Sequence, residues 1–469
     1  MIKNKRKENF QFWKINEREG IKIINSKLLE FIESKGFATA NLNSKSQILV
    51  QKQNNRMSIA SEFDIDQIIK IYLEEKGQRE VYETYIKGMG SYISKRKFNL
   101  LKRIDLVNDR DFKDSSNFFY KDCYCTVTKD SIKLKQYEEL ETPIWENRIL
   151  NHSYSIPSDD SPGQFAVFCR NITDGSEERF NALKTILGYL LHRNKDVGES
   201  KAVIFYDEMM GFQNQAHGGT GKTLLSQALA KCREVEIFDG KEIKAGSFFK
   251  NQRIELTTDI LVYDDLNSKA SLESFYTMIT SGVEIEKKGQ QSYFIKHEDS
   301  PKILITSNYP VGGPGGPSDI RRRHEFELCN YYNADFTPEF EFGNRFFGEL
   351  WSQEEWNKFF YFMMTCVEDY LKNGLIKVAS INIEKAKLTQ TSCQEFVEFA
   401  DKYIKLNKWI DKRKFHESFK RQFPLIENVS PHIFKKWIYN YSRNNLGKYE
   451  SKSSGSRYLF KVRKELANV

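Results

Sequence analysis

One octapeptide narrows the possibilities more than any other part of the chain: Ala216-His-Gly-Gly-Thr-Gly-Lys-Thr223. It sits between an apolar run, Ala202 to Tyr206, and a helical pattern, Leu224 to Ala230. Gly218, Gly219 and Gly221 give consecutive backbone N–H groups the freedom to turn onto one anion, and a helix starting directly behind them adds the positive end of its dipole. The spacing fits the phosphate-loop pattern G-x-x-x-x-G-K-[ST] with two departures. Ala216 replaces the first glycine, and an insert from Asp207 to Gln215 separates strand from loop. Gly218, Gly219, Thr220, Gly221, Lys222 and Thr223 are therefore expected to hold a nucleotide. Lys222 would reach the β- and γ-phosphates of ATP, and Thr223 would hold Mg²⁺ through its hydroxyl.

Two later runs end in the residues such a loop requires. Ile260-Leu-Val-Tyr-Asp-Asp265 closes on paired carboxylates. Asp264 is assigned mainly to the metal and Asp265 mainly to the attacking water, roles that the sequence does not strictly separate. Pro301-Lys-Ile-Leu-Ile-Thr-Ser-Asn308 ends in an amide able to hydrogen-bond a γ-phosphate or a water. Runs that are apolar without alternation suit parallel strands buried on both faces, so Lys201 to about Asp335 is expected to be an α/β core.

In order and spacing, GGTGKT (218–223), VYDD (262–265), GVEIEKKGQQSYFI (282–295), ILITSN (303–308) and RRRHEFEL (321–328) resemble the superfamily 3 helicases, a branch of the AAA+ ATPases encoded by viruses, phages and other mobile elements. The nearest likeness is to phage and plasmid primase-helicase-type proteins, and it spans roughly Lys201 to Leu328. The resemblance implies an ATP- and Mg²⁺-dependent replicative DNA helicase, assembled as a hexameric ring and moving 3′→5′ on single-stranded DNA. It implies hydrolysis at subunit boundaries. It further implies a β-hairpin in the ring channel, with arms Val283 to Glu286 and Ser292 to Ile295 and a tip of Lys287, Lys288 and Gly289 that meets DNA phosphates. Arg322, four residues before Phe326, matches the arginine finger of this family, with Arg321 and Arg323 as alternatives.

The flanks are read from pattern. Residues 1–150 mix helical and extended signals and form an expected α+β accessory domain. His152 is the first histidine of the chain, so neither a primase's acidic pair with histidine nor a nickase's His-x-His is found before it. Asp64 and Asp66 open a helical pattern and read as capping residues. Turn formers from Ser155 to Gly163 suggest a boundary, 151–198 a helical collar, 199–335 the ATPase core, and 336–388 a helical extension with Phe340 to Leu375 helical. Residues 389–469 suggest three helices and a basic hairpin, the pattern of a winged helix. Lys435, Lys436, Arg443, Lys452 and Arg457 are its candidate DNA contacts. From Asp401 onward, 17 Lys and Arg face 6 Asp and Glu, a local +11 within a chain whose net charge is +8. Such a tail suits a polyanion partner, and equally a solvated surface.

The seven cysteines show no zinc spacing and read as reduced thiols. No apolar run is long enough to span a membrane, and no signal peptide follows the basic start, so the bacterial host cytoplasm is the expected location. Expected partners are forked and single-stranded DNA, further copies of the chain, and a separate primase or host replication proteins. Two rival functions stand beside the helicase: a non-helicase AAA+ loader or remodeller, and a DNA-binding replication initiator with a vestigial ATPase.

Overall fold

The computed structural model describes residues 10–16, 18, 20–41, 47–105, 110–210, 219–242, 251–288, 292–426, 429–442 and 447–463. At its centre lies a five-stranded, all-parallel sheet in the spatial order Val235–Asp239, Ile260–Asp264, Lys302–Ser307, Ala202–Asp207, Arg323–Leu328. The strands Ala202–Asp207 and Lys302–Ser307 are buried along their whole length. Alternate residues enter two cores. Val203, Phe205, Val262 and Leu304 pack into one, while Ile204, Tyr206, Leu261 and Ile305 pack into the other. Burial on both faces explains why these runs are apolar without alternation. The strand Val235–Asp239, at the sheet's edge, is mostly half-buried or exposed and was not anticipated from pattern.

The first core is closed by two helices, Glu177–Leu191 and Gln353–Asn373, which lie against one another. Their approach depends on Gly188, where an added Cβ would stand 1.9 Å from the Cys366 carbonyl oxygen. The expected helix from Phe340 to Leu375 is in fact two, Pro338–Phe342 and Gln353–Asn373. Gly343, with φ +69°, ends the first, and the aromatic side chains of Phe346, Phe347 and Trp351 fill the gap against Phe165 and Phe359.

The expected boundary at 150 is crossed by packing. A three-stranded antiparallel sheet, Ser115–Phe119, Tyr124–Thr128 and Ile132–Lys135, contributes Phe118, Tyr120, Cys125 and Val127 to the same core as the two long helices. Buried ion pairs reinforce the join. Asp259, just before the strand Ile260–Asp264, is paired with Arg110 and Arg148, and Asp111 with Arg193 at 2.9 Å. The guanidinium groups of Arg193 and Arg233 hold the Asp111 carboxyl well below the usual range against the opposing effect of its burial.

Ahead of this join, a second five-stranded sheet packs with the helices Asn25–Ser34, Glu62–Glu75 and Arg79–Tyr92 around its own core. Asp64 closes a capping box with Ser61, whose N–H donates to its Oδ2 at 2.7 Å. Asp66 instead accepts a hydrogen bond from the Tyr85 hydroxyl. The C-terminal part runs helix Gln394–Tyr403, strand Ile410–Asp411, helices Lys412–Gln422 and Pro431–Tyr441, then strands Lys448–Ser454 and Arg457–Arg463, which form a hairpin. Ser430 caps the third helix, accepting from the Ile433 N–H at 3.3 Å, with Pro431 at its first position. Among the described residues, no helix is long and apolar enough to cross a membrane.

Gly188→Ala is expected to destabilise the protein by about 1–3 kcal/mol even though alanine is the better helix former, because the added methyl must push two packed helices apart. Chemical denaturation of the two proteins checks this.

Candidate nucleotide site

The connections of the central sheet make a crevice at one point. From Ala202–Asp207 the chain crosses to Val235–Asp239 on the far side, while from the adjacent Lys302–Ser307 it crosses the other way to Arg323–Leu328. Neighbouring strands whose connections leave in opposite directions open a cleft beyond their carboxyl ends, where open α/β sheets bind ligands.

Into this cleft the helix Lys222–Ala230 points its N-terminus, with Gly221 as its N-cap at φ +101°. The conformation is one that side chains resist, and a Cβ on Gly221 would also stand 2.5 Å from the Phe168 ring. Gly219 likewise carries φ +105°. Thr223, in the first turn, is exposed. Thr220 is buried, and its hydroxyl donates to Asp207 at the end of the neighbouring strand. Gly218, with the rest of residues 211–218, lies outside the described residues.

Lys222 forms an ion pair with Asp207 and donates from Nζ to Asn308 Oδ1 at 2.9 Å. The other end of the same amide, Nδ2, donates to Asp265 Oδ1 at 2.9 Å. Oxygen toward the cation and N–H toward the carboxylate is the amide orientation these partners require. Asp265 also forms an ion pair with Lys241, whose ammonium its hydrogen bond and charge hold above the ordinary lysine value. Asp264 accepts from the Thr306 hydroxyl at 2.6 Å, and that hydroxyl accepts from the Asp265 N–H at 2.8 Å. Lys241, Asp265, Asn308, Lys222 and Asp207 thus form one polar chain across the carboxyl ends of four adjacent strands. Asp207, Lys241 and Thr306 were not picked out from sequence. The signal for Asp207 was a charge closing an otherwise apolar strand, and for Thr306 a hydroxyl two residues before Asn308.

Asp265 adopts φ +55°. Aspartate and asparagine tolerate this left-handed region better than other side chains, and β-branched residues least.

The remaining candidates lie apart from this chain. Arg323 is built into the strand start, paired with Asp319 at 2.8 Å and Glu325 at 2.9 Å. Arg322 donates to the Ser318 carbonyl at 2.9 Å and lies over the Tyr276 ring at 4.6 Å. Arg321 is exposed. The hairpin arms are Gly282–Ile285 and Tyr293–Lys296, paired antiparallel. Of its expected tip, Lys287 is ion-paired with Glu255, Lys288 is exposed, and Gly289 lies outside the described residues. Lys287 thus already has a carboxylate partner beside the tip. In the C-terminal part Lys435 and Lys436 are exposed on the third helix, as are Lys452 and Arg457 on the hairpin. Lys452 lies over the Trp409 ring at 4.2 Å. Arg443 lies outside the described residues.

No protein-family model and no curated protein matches the chain. Among solved structures, it is similar to the apo A form of the NrS-1 C-terminal region, at 15% identity over 93% of this chain and 98% of that one, with a TM-score of 0.42. A second structure of that region gives 14% identity with the same coverage and score. A JCV helicase with a bound small molecule matches at 13% identity over 35% of this chain and 45% of that one, with a TM-score of 0.24.

Asp265→Val is expected to lower stability by about 1–2 kcal/mol, whereas Asp265→Asn stays within about 1 kcal/mol of wild type, because only the former brings a β-branched side chain to a positive φ. Urea unfolding midpoints compare the two.

Proposed function

We propose that the chain is an ATP- and Mg²⁺-dependent DNA helicase working as a ring-shaped, hexameric assembly. The observation that carries this reading is the polar chain from Lys241 to Asp207 at the mouth of the crevice, set beside a helix N-terminus and two positive-φ glycines. A polyphosphate fits these groups: the N–H groups at the helix start, the Lys222 ammonium, and the carboxylates of Asp264 and Asp265 two strands over. Magnesium commonly takes one or two protein oxygens and fills its other positions from phosphate and water, which suits Thr223 with Asp264. When bound, the ion supplies neutralisation of charge developing on the phosphate oxygens.

The chain's own residues divide the remaining work. Lys222 binds and orients the phosphates. Asp265 orients an attacking water and accepts its proton at a carboxylate oxygen. Asn308, which touches both, keeps the two in register. Arg322 is proposed to complete a neighbouring subunit's site, for which its Ser318 contacts must open, while the exposed Arg321 needs no such release.

Lys288, with Lys287 once freed from Glu255, is proposed to grip single-stranded DNA. The helix–strand–helix–helix–hairpin order of the C-terminal part supports a winged helix, with Lys435, Lys436, Lys452, Arg457 and Arg443 facing duplex DNA. Residues ahead of 150 are proposed as an accessory domain. A replicative role for a phage or mobile element, in a bacterial cytoplasm and with a separate primase or host proteins, completes the reading.

The Lys287–Glu255 pair favours a second reading, a non-helicase AAA+ loader or remodeller, since it withdraws one of two channel cations. Forked-DNA displacement and ATP hydrolysis separate the two. The helicase reading expects 3′→5′ displacement that disappears in Lys222→Ala and falls sharply in Lys288→Ala, and a loss of hydrolysis of roughly 10³-fold in the finger variant, Arg322→Ala or Arg321→Ala. Hydrolysis without displacement, indifferent to Lys288→Ala, would select the loader. Displacement surviving Lys222→Ala would refute the assigned loop.

A further inference from the structure

Asp207 ends the strand Ala202–Asp207 and is 1% exposed. Its Oδ1 receives both the Thr220 hydroxyl and the Lys222 ammonium, and its Oδ2 is buried with no hydrogen-bond partner among the described residues. The Lys222 side chain is itself only 11% exposed. A carboxylate this deep is tolerated because a cation sits on it, and taking that cation away would leave a buried, uncompensated charge. Lys222 therefore cannot abandon Asp207 when a nucleotide arrives without a large penalty.

It does not need to. An ammonium has three donors. One is directed to Asp207 and one to Asn308 Oδ1. The amide contact is to a neutral, part-buried partner, so it is the weaker of the two and the one a phosphate oxygen can displace.

We propose that Asp207 is a positioning residue for Lys222. It anchors the ammonium at the strand end throughout the cycle, so that a triphosphate takes over the Asn308 contact and the free donor while the Asp207 contact persists. Through Thr220 the same carboxylate oxygen ties down the loop between Gly219 and Gly221, so that one buried charge locates both the cation and the turn that carries it. This rests on the nucleotide-site reading above.

A double-mutant cycle on the whole chain tests the pairing independently of activity. Lys222→Ala is expected to melt roughly 5 °C or more below wild type, because it strands the Asp207 carboxylate, and Asp207→Asn added to it recovers most of the loss. Lys222→Met, closer in volume, replaces the alanine variant if that one does not fold. Additive losses, or a Lys222 variant as stable as wild type, overturn the proposal whatever the activity.

Steady-state ATP hydrolysis tests the positioning. Asp207→Asn is expected to lower kcat about tenfold without raising KM, because an unanchored ammonium still attracts polyphosphate but no longer meets the transition state in place. Unchanged kcat, or a raised KM alone, overturns the positioning role. A coupled melting cycle in a protein that hydrolyses no nucleotide defeats the functional reading, and the positioning role with it, while the ion pair stands as a structural contact.

Discussion

A parallel sheet buried on both faces has mainly the ends of its strands left for polar chemistry, and here the carboxyl-terminal ends carry the row that faces the crevice. The strands Ala202–Asp207, Lys302–Ser307 and Ile260–Asp264 end at Asp207, at Ser307 beside Asn308, and at Asp264 beside Asp265. Asp207, Asn308 and Asp265 meet Lys222 or one another in the same crevice. None of these side chains could be satisfied deeper in the sheet, where neighbours are Val, Ile, Leu and Phe. They satisfy one another instead, cation to carboxylate and amide to both. The result is an ordered row of opposite charges set at the strand ends or within two residues beyond them, with Lys222 on the first turn of its helix.

The opposite edge of the sheet is occupied differently. Asp259 precedes its strand and is held by Arg110 and Arg148, and Lys302 opens its strand by donating to the carbonyl oxygens of Tyr189 and His192. Burial lowers the Lys302 ammonium to about 7. Polar groups at this end fasten the chain around residues 110–150 and the helix Glu177–Leu191 to the sheet. One edge is thus anchored and the other open to a ligand, a division that follows from which ends of the strands the flanking elements cover. Gly188 serves the same anchoring, since its missing side chain lets Glu177–Leu191 lie directly on Gln353–Asn373.

Much of this was legible in the residues. Unbroken apolar runs identified the three inner strands, because parallel strands covered on both sides admit no polar alternation. Glycine and lysine at fixed spacing placed the loop, because only that backbone freedom allows φ values near +100° at Gly219 and Gly221. Ser430-Pro431 marked a helix start through cap chemistry that is local to three residues. The edge strand Val235–Asp239 was missed because it is mostly half-buried or exposed and lacks the apolar signature. The break after Phe342 was missed because aromatic residues in an irregular segment mimic helical spacing when they fill a core.

Local chemistry, then, decided the turns, caps and buried strands, since each depends on a few neighbouring residues. Pairings between distant positions were settled only when the chain closed up. That Lys287 meets Glu255, and that Asn308 reaches both Lys222 and Asp265, depends on strand order and crossover direction, whereas Arg323 finds Asp319 and Glu325 within four residues of itself. Spacing along the chain carries no information about which strand ends lie side by side, because the energy that orders them comes from apolar cores shared among segments more than a hundred residues apart.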